Sequence, residues 1–169
     1  TRSSVPLFKE MLAGIVSEVH YSPFFLPDIV PIDLPELDAK QGQEVVRMLF
    51  VGAEGGRKGV HVLMAALGML APSVARWLHV DVVTSSPVDI AHLRCKSVVV
   101  HRRMPHADVM RLMAQAHVFC MPTLHDTYGL VFLEAMSQGC AIISDDDLPR
   151  IELIRDSGAG VCINPTASD

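Results

Sequence analysis

Two acidic residues in the stretch LHDTYGLVFLEAMSQG, residues 124–139, are of a type that could bind a ligand. Glu134 interrupts the apolar run 130–136, and Asp126 lies eight residues before it. Moving an ionised carboxylate out of water is unfavourable unless the group finds partners. Glu134 therefore either pairs with a basic side chain from elsewhere or accepts hydrogen bonds from a diol such as a ribose. Asp126 either caps the following helix, which begins near Gly129, or contacts a ligand there.

The stretch LFVGAEGGRKGVHVLMAAL, residues 49–67, contains a second candidate site. Its four glycines, Gly52 among them, let the backbone turn tightly and approach a ligand. Arg57 and Lys58 lie at the predicted start of a helix, where free N–H groups already attract anions. A bound pyrophosphate would relieve the repulsion between these cations and the helix dipole; the alternative is a solvated turn with two surface cations. The spacing matches neither a Walker A loop nor the G-x-G-x-x-G fingerprint.

The elements that must position these loops alternate between strand and helix. Continuous β-branched runs predict strands that are buried on both faces, and their alternation with helices predicts a doubly wound parallel α/β sheet of about six strands. The predicted strands are 45–51, 78–84, 98–101, 118–121, 140–144 and 161–163, and the predicted helices are 58–70, 88–93, 107–116, 129–138 and 150–156. Both candidate loops follow strands, at the edge where such sheets bind ligands.

Residues 1–43 differ from the remainder, because five of the eleven prolines fall there. We predict that they form an extended connector packed on a Rossmann-like domain of residues 44–169.

The net charge of −5 argues against a nucleic-acid partner. The four cysteines and eight histidines lack the spacing of a metal site. The cysteines read as buried reduced thiols, which indicates a reducing compartment, and no signal peptide or spanning segment is predicted. The acidic run 144–147 could imitate an acidic metal or phosphoacceptor pocket, but it is interpreted as a loop near the cleft or as solvated charge.

Three segments carry a resemblance to a known family: FVGAEGGRKGVHVLMAAL, MPHADVMRLMAQAHVFCMPTLHDTYGLVFLEAMSQGCAII and LIRDSGAGVCINP. They resemble the C-terminal, donor-binding half of retaining GT-B-fold glycosyltransferases, glycosyl transferases group 1. Members of that family carry two acids separated by seven residues, and Asp126 and Glu134 have this spacing, with Asp in place of the usual first Glu.

The resemblance implies a role for each matching residue. Glu134 would hold the nucleotide ribose, and Asp126 would contact the transferred sugar or support charge at its reacting carbon. Lys58, with Arg57, would neutralise the diphosphate leaving group, so that no metal or other cofactor is required. The loop around Gly52 would approach the donor, and the backbone amides of Thr127, Tyr128, Gly129 and Leu130 would meet the sugar and the distal phosphate.

The resemblance also implies the partners of this domain. The donor would be a UDP-, GDP- or ADP-sugar, and an N-terminal domain of the same protein would bind the acceptor. A cytoplasmic location is expected, with any attachment to the inner face of a membrane made through other parts of the protein. Two alternatives stay open: a GT-B-fold sugar-nucleotide epimerase, and a non-catalytic homologue that acts as an interaction module.

Overall fold

The computed structural model describes residues 5–20, 22, 29–124, 126 and 129–165, apart from the side chain of Leu148. A parallel sheet of six strands lies between helices. This architecture confirms the predicted α/β, Rossmann-like fold. In chain order the elements are α1 (Val5–Met11), α2 (Leu34–Gln41), β1 (Val46–Val51), α3 (Val60–Met69), α4 (Pro72–Ala75), β2 (Leu78–Val83), β3 (Ser97–His101), α5 (His106–Gln115), β4 (Val118–Met121), α6 (Leu130–Ser137), β5 (Ala141–Asp145), α7 (Leu148–Arg150), a π-helix (Ile151–Arg155) and β6 (Gly160–Ile163).

The order in which successive strands join the sheet reverses once, at the centre of the sheet. The order is β3-β2-β1-β4-β5-β6, and every neighbouring pair is parallel. From β1 the chain moves outward to β3, then returns to the other side of β1 and moves outward from β4 to β6. Ligands of such sheets bind beyond the carboxyl ends of the strands at this reversal. The loops after β1 and β4, which contain Lys58 and Asp126, therefore lie at the expected ligand-binding edge.

The apolar strands form the core with helices on both faces. Val80, Val82 and Phe119 are fully buried, as continuous β-branched and aromatic runs require when both faces of a sheet are covered. Right-handed crossovers place α3 on one face and α5 and α6 on the other. The ring of Phe119 meets Phe132 of α6 edge-on, with centroids 5.7 Å apart. This contact fixes α6, and with it Glu134, against the sheet.

All six predicted strands are present, each within one residue of its predicted bounds. The helix predicted over 88–93 is wrong, because residues 84–96 form turns and bends. Pro87 lacks a backbone N–H group, and the side chain of Asp89 accepts a hydrogen bond from the N–H of Ala91 at 3.0 Å. Such a local side-chain bond competes with helix formation. The short helix α4 was not predicted, and the last predicted helix is divided into α7 and the π-helix.

The N-terminal segment is more regular than predicted. The stretch 22–37 was predicted to be extended, yet α2 begins at Leu34. Asp33 accepts a hydrogen bond from the N–H of Glu36 at 2.9 Å, and a proline is compatible with a first helical turn. The Nζ of Lys40, which is 4% exposed, donates to the carbonyl of Gln138 at 2.8 Å. The segment therefore contacts the end of α6; the domain boundary after residue 43 stays a prediction.

Candidate functional site

Lys58 lies against the end of β1, in the loop that precedes α3. A Cβ atom on Gly52 would lie 2.8 Å from the Cβ of Lys58 and 2.9 Å from its Cγ. Only glycine therefore lets the Lys58 side chain occupy this position. The side chain is 16% exposed, so its ammonium group is largely removed from water while it remains at the edge of the sheet where ligands bind.

Asp126 approaches Lys58 from the loop after β4. The Nζ of Lys58 donates to the Oδ2 of Asp126 in a short ion pair, and the Asp126 side chain is 10% exposed. A pair this far from water has a lower effective dielectric constant than a surface pair, so its charges interact strongly. The structure thus brings together Lys58 and Asp126, which were predicted as site residues in two different loops.

Backbone contacts hold the same two loops together. The carbonyl of Arg57 accepts from the N–H of Leu124 at 3.0 Å and from the hydroxyl of Thr123 at 3.2 Å. Gly59 has φ of 77°, and a Cβ atom there would lie 1.9 Å from the carbonyl oxygen of Pro122. Because backbone atoms supply most of these contacts, the two loops are held at a fixed spacing, and the Lys58–Asp126 pair forms between them.

The described ion pair of the Arg57 side chain is made within its own loop. Its Nε donates to the Oε2 of Glu54 at 3.0 Å, and these side chains are 44% and 74% exposed. Pairs exposed to this degree contribute little to stability. The pair with Glu54 is therefore a weak one.

Helix α6 begins next to Asp126. Gly129 is buried with φ of 79° and precedes the first helical residue, Leu130. A Cβ atom on Gly129 would lie 2.6 Å from the ring of Phe132 and 3.4 Å from the Oδ2 of Asp126. The N–H groups of the first helical turn thus lie close to the Asp126 carboxylate. Thr127 and Tyr128, two of the predicted contacts, and His125 lie outside the described residues.

Glu134 faces α5. Its Oε1 accepts a hydrogen bond from the Nε2 of His106, the first residue of α5, at 3.0 Å. The Glu134 side chain is 18% exposed and that of His106 is 66% exposed. This contact agrees with the alternative that Glu134 pairs with a basic side chain. The pair lies at the N-terminal end of α5. That Glu134 would bind a ribose stays a prediction.

Sequence analysis missed Arg150. This arginine is fully buried and donates to both carboxylate oxygens of Asp145, to Asp147, and through Nη1 to the carbonyl oxygen of Asp126 at 3.1 Å. Asp145 is 4% exposed, so the interpretation of the acidic run as solvated charge is wrong for that residue. The only signal of this contact in the sequence is the spacing, a basic residue five positions after an acid that ends a strand. Such a spacing is weak evidence by itself.

The remaining features of the described residues concern the requirements of a metal site, a disulfide and a membrane span. Among the described residues, no group of three or more His, Cys, Asp or Glu side chains is arranged to hold a metal ion. All four cysteines are free thiols, and Cys120 and Cys140 are buried. Within the described segments, no helix is both long and apolar enough to cross a bilayer.

Comparison with known proteins places the chain in a family. The model of the family "Glycosyl transferases group 1" matches residues 46–169. The phosphatidyl-myo-inositol mannosyltransferase of Mycolicibacterium smegmatis is 33% identical over 138 residues, which cover 76% of this chain and 34% of that protein. The alpha-maltose-1-phosphate synthase of the same organism is 28% identical over 145 residues, 80% of this chain and 37% of that protein. The chain thus spans little more than a third of the length of these relatives.

Solved structures share the fold. WaaG, a glycosyltransferase involved in lipopolysaccharide biosynthesis, superposes with a TM-score of 0.67 at 24% identity over 81% of this chain and 40% of that chain. The pneumococcal O-GlcNAc transferase GtfA, solved with UDP and GlcNAc, gives a TM-score of 0.72 at 17% identity over 100% of this chain and 33% of that chain. Together with the family match and the six-stranded parallel sheet, this likeness shows that the chain belongs to the group 1 glycosyltransferases and has the Rossmann-like architecture of a GT-B domain.

Proposed function

We propose that this chain is the donor-binding half of a retaining glycosyltransferase that transfers a hexosyl group from a nucleotide diphosphate sugar. One observation carries the proposal: the Lys58–Asp126 ion pair lies where the loops after β1 and β4 meet. That position is the expected ligand site of a doubly wound sheet. The acceptor would be a glycan, a lipid or another molecule bound by an N-terminal domain of the same protein.

The two charges suit the two ends of the bond that breaks. Departure of a diphosphate builds negative charge on the leaving group and positive charge on the anomeric carbon. Lys58 would lie beside the first and Asp126 beside the second. Charges fixed in advance in a site sheltered from water stabilise such a transition state more than mobile charges in solvent do. A lysine ammonium supplies this positive potential directly, so that we propose a reaction that needs no metal.

The remaining predicted residues would hold the rest of the donor. Arg57 would leave Glu54 to meet the distal phosphate, and the N–H groups at Gly129 and Leu130 would meet the phosphate or a sugar hydroxyl. Glu134 would accept hydrogen bonds from the ribose and release His106. Retention of configuration and a UDP-, GDP- or ADP-sugar donor belong to this proposal, with the family and the GtfA complex as support.

Calorimetric titration of the full-length protein with UDP, GDP, ADP and their sugars tests the proposal. We expect saturable binding of one nucleotide and loss of about 10-fold or more in affinity for Lys58→Ala, since an ion pair with phosphate is removed. Lys96→Ala, a change at an exposed lysine, is the control and should leave binding unchanged. Absence of saturable binding by any of these nucleotides overturns the proposal.

Product analysis separates the alternatives. A transferase consumes donor only when an acceptor or water takes the sugar, whereas an epimerase converts the sugar nucleotide without any acceptor. An interaction module binds no donor and is unaffected by Asp126→Ala.

A further inference from the structure

Arg150 is a fully buried cation whose described partners lie at the end of β5 and in the adjacent loops. Its Nε lies 3.1 Å from each carboxylate oxygen of Asp145, and its Nη2 lies 2.9 Å from Oδ2 of the same residue. Nη2 also donates to Asp147 at 2.6 Å. A buried guanidinium is stable only when carboxylates and hydrogen bonds compensate its lost hydration. Asp145 and Asp147 supply that compensation.

The remaining described bond of Arg150 goes to the proposed donor site. Nη1 donates to the backbone carbonyl of Asp126 at 3.1 Å. The peptide of Asp126 is thereby attached to a group fixed at the end of β5, while its side chain pairs with Lys58 at the end of β1. One chain of contacts therefore joins the carboxyl ends of three adjacent strands, β1, β4 and β5.

We propose that Arg150 is a positioning residue, which holds the Asp126 carboxylate against Lys58 by fixing the Asp126 peptide. This inference rests on the proposed function, in which those two charges serve the reaction. The planar fork of arginine bonds the Asp145 carboxylate and the Asp126 carbonyl at the same time. A lysine ammonium is a compact charge that cannot span both partners in this geometry. The substitution Arg150→Lys therefore keeps the charge and removes the link.

Chemical labelling of lysines tests the link without any ligand. In the full-length protein, the rate at which acetic anhydride modifies Lys58 is measured by mass spectrometry relative to the exposed Lys96. The Lys58 ammonium is paired and 16% exposed, so we expect slow labelling in the wild type. Arg150→Lys should raise the Lys58 rate about five-fold or more, toward that of Asp126→Asn, which removes the paired charge. Arg155→Lys, a change at an exposed arginine, is the matched control and should leave it unchanged.

The buried Lys40 reports whether the domain stays folded during labelling. Its side chain is 4% exposed, so it should remain protected in every folded variant. Arg150→Gln is a second variant in case Arg150→Lys does not fold. An unchanged Lys58 rate in a folded variant overturns the proposal. Simultaneous exposure of Lys40 and Lys58 in both variants also overturns it, because Arg150 would then support the whole domain.

A donor experiment separates this inference from the proposed function. With whichever of UDP, GDP and ADP binds the wild type most tightly, Arg150→Lys should change the Kd less than about three-fold, since Lys58 and Glu134 remain. The kcat for consumption of the corresponding sugar nucleotide should fall about 10-fold or more, because the carboxylate beside the reacting carbon is misplaced. A wild type that binds no nucleotide rejects the proposed function, and the labelling result still decides whether Arg150 positions the pair. If Arg150→Lys lowers nucleotide affinity and kcat by the same factor, the result contradicts a positioning role for Arg150.

Discussion

The ammonium of Lys58 and the carboxylate of Asp126 form an ion pair between the loops after β1 and β4, although the two residues lie 68 positions apart in the sequence. Both side chains are at least four-fifths buried. A diphosphate that enters this site must either share Lys58 with Asp126 or displace the carboxylate. In the proposed complex, the two residues would therefore act as a coupled pair toward the donor, and substitution of either would change the interactions of the other.

Asp126→Asn should separate binding of the nucleotide from transfer of the sugar. Without its carboxylate partner, Lys58 is free to bind phosphate, and the negative charge that opposes an incoming diphosphate is gone. We expect the affinity for nucleoside diphosphate to stay level or rise a few-fold, while donor turnover falls about 100-fold through loss of a group beside the reacting carbon. Calorimetry and a donor-consumption assay on the full-length protein measure the two effects.

The control for this experiment is Asp156→Asn, at an exposed residue that pairs with Arg155, and it should leave both quantities unchanged. A parallel loss of affinity and turnover in Asp126→Asn would contradict the prediction, because it would show that the carboxylate supports the bound nucleotide itself.

Gly52→Ala should displace Lys58 from the site. The added Cβ would lie 2.8 Å from the Cβ of Lys58, closer than real side chains pack, so the lysine side chain must move as a whole. We expect a loss of about 1–3 kcal/mol in the free energy of unfolding, as for overpacked sites. Nucleotide affinity should also fall about 10-fold, since 1.4 kcal/mol of lost interaction corresponds to that factor.

Gly56→Ala is the matched control, in the same loop. A Cβ atom there meets nothing within 4 Å, so neither stability nor affinity should change by a measurable amount. If Gly52→Ala behaves like Gly56→Ala in urea denaturation and in calorimetry, the close packing between Gly52 and Lys58 has no bearing on binding.

Much of the fold could be predicted from local sequence, because burial of a strand on both faces requires a continuous apolar run. That requirement located all six strands, and the rule that ligands lie at strand ends then indicated the loops of Lys58 and Asp126. The helix predicted over 88–93 failed for a local reason, the Asp89 side-chain bond to the backbone.

The direct contacts within the site could not be predicted, since they depend on how separate elements pack. Nothing in the spacing indicated that Lys58 would bind Asp126, that His106 would reach Glu134, or that Arg150 would be buried. Each of these pairs joins groups on different strands or helices, or depends on burial that only the folded chain creates. Sequence reasoning identified most of the charged groups and left their pairing open.

Glu134→Gln should remove the discrimination between ribose and deoxyribose. In the proposed complex the carboxylate accepts hydrogen bonds from the ribose hydroxyls, and bonds to a charged acceptor contribute about 1.5–3 kcal/mol. The wild type should therefore bind the ribonucleoside diphosphate about 10-fold or more tightly than its 2′-deoxy form, and the variant should bind both alike. Competition calorimetry measures the ratio.

His106→Ala distinguishes the two roles of Glu134. The pair with His106 is partly exposed, since the histidine is 66% exposed, so its loss should cost less than about 1 kcal/mol of stability. The ratio between ribose and deoxyribose forms should persist in His106→Ala. If this variant loses the discrimination as Glu134→Gln does, the carboxylate requires the histidine, and ribose recognition belongs to the pair.

Two buried thiols predict that the domain loses stability in alkaline solution. Burial raises the pKa of Cys120 to about 12 and that of Cys140 to about 11, from 9.0 for an ordinary thiol. Above pH 9 the unfolded chain therefore releases protons that the folded chain retains, and the free energy of unfolding falls as pH rises. Each thiol contributes a slope of up to about 1.4 kcal/mol per pH unit, as far as its folded pKa.

Lys40 acts in the opposite direction. Burial lowers its pKa below the ordinary value of 10.5, so the unfolded chain binds more protons than the folded chain in the range below pH 10.5. Its contribution to the free energy of unfolding rises with pH there and offsets part of the loss caused by the thiols. The observed alkaline slope should consequently be smaller than the sum of the two thiol contributions.

Cys140→Ser isolates one thiol in urea denaturation at pH 8, 9 and 10, followed by circular dichroism. Serine does not titrate in this range and keeps a donor for the carbonyls of Met113 and Ala116, to which the Cys140 thiol donates at 3.2 Å. The variant should lose less free energy of unfolding than the wild type between pH 9 and 10, while the difference between them stays constant below pH 8. Cys95→Ser, at a thiol that is only partly buried, should change the slope less. Equal slopes for the wild type and Cys140→Ser would mean that the Cys140 thiol ionises as readily in the folded chain as in the unfolded one, which burial beside the end of α6 should prevent.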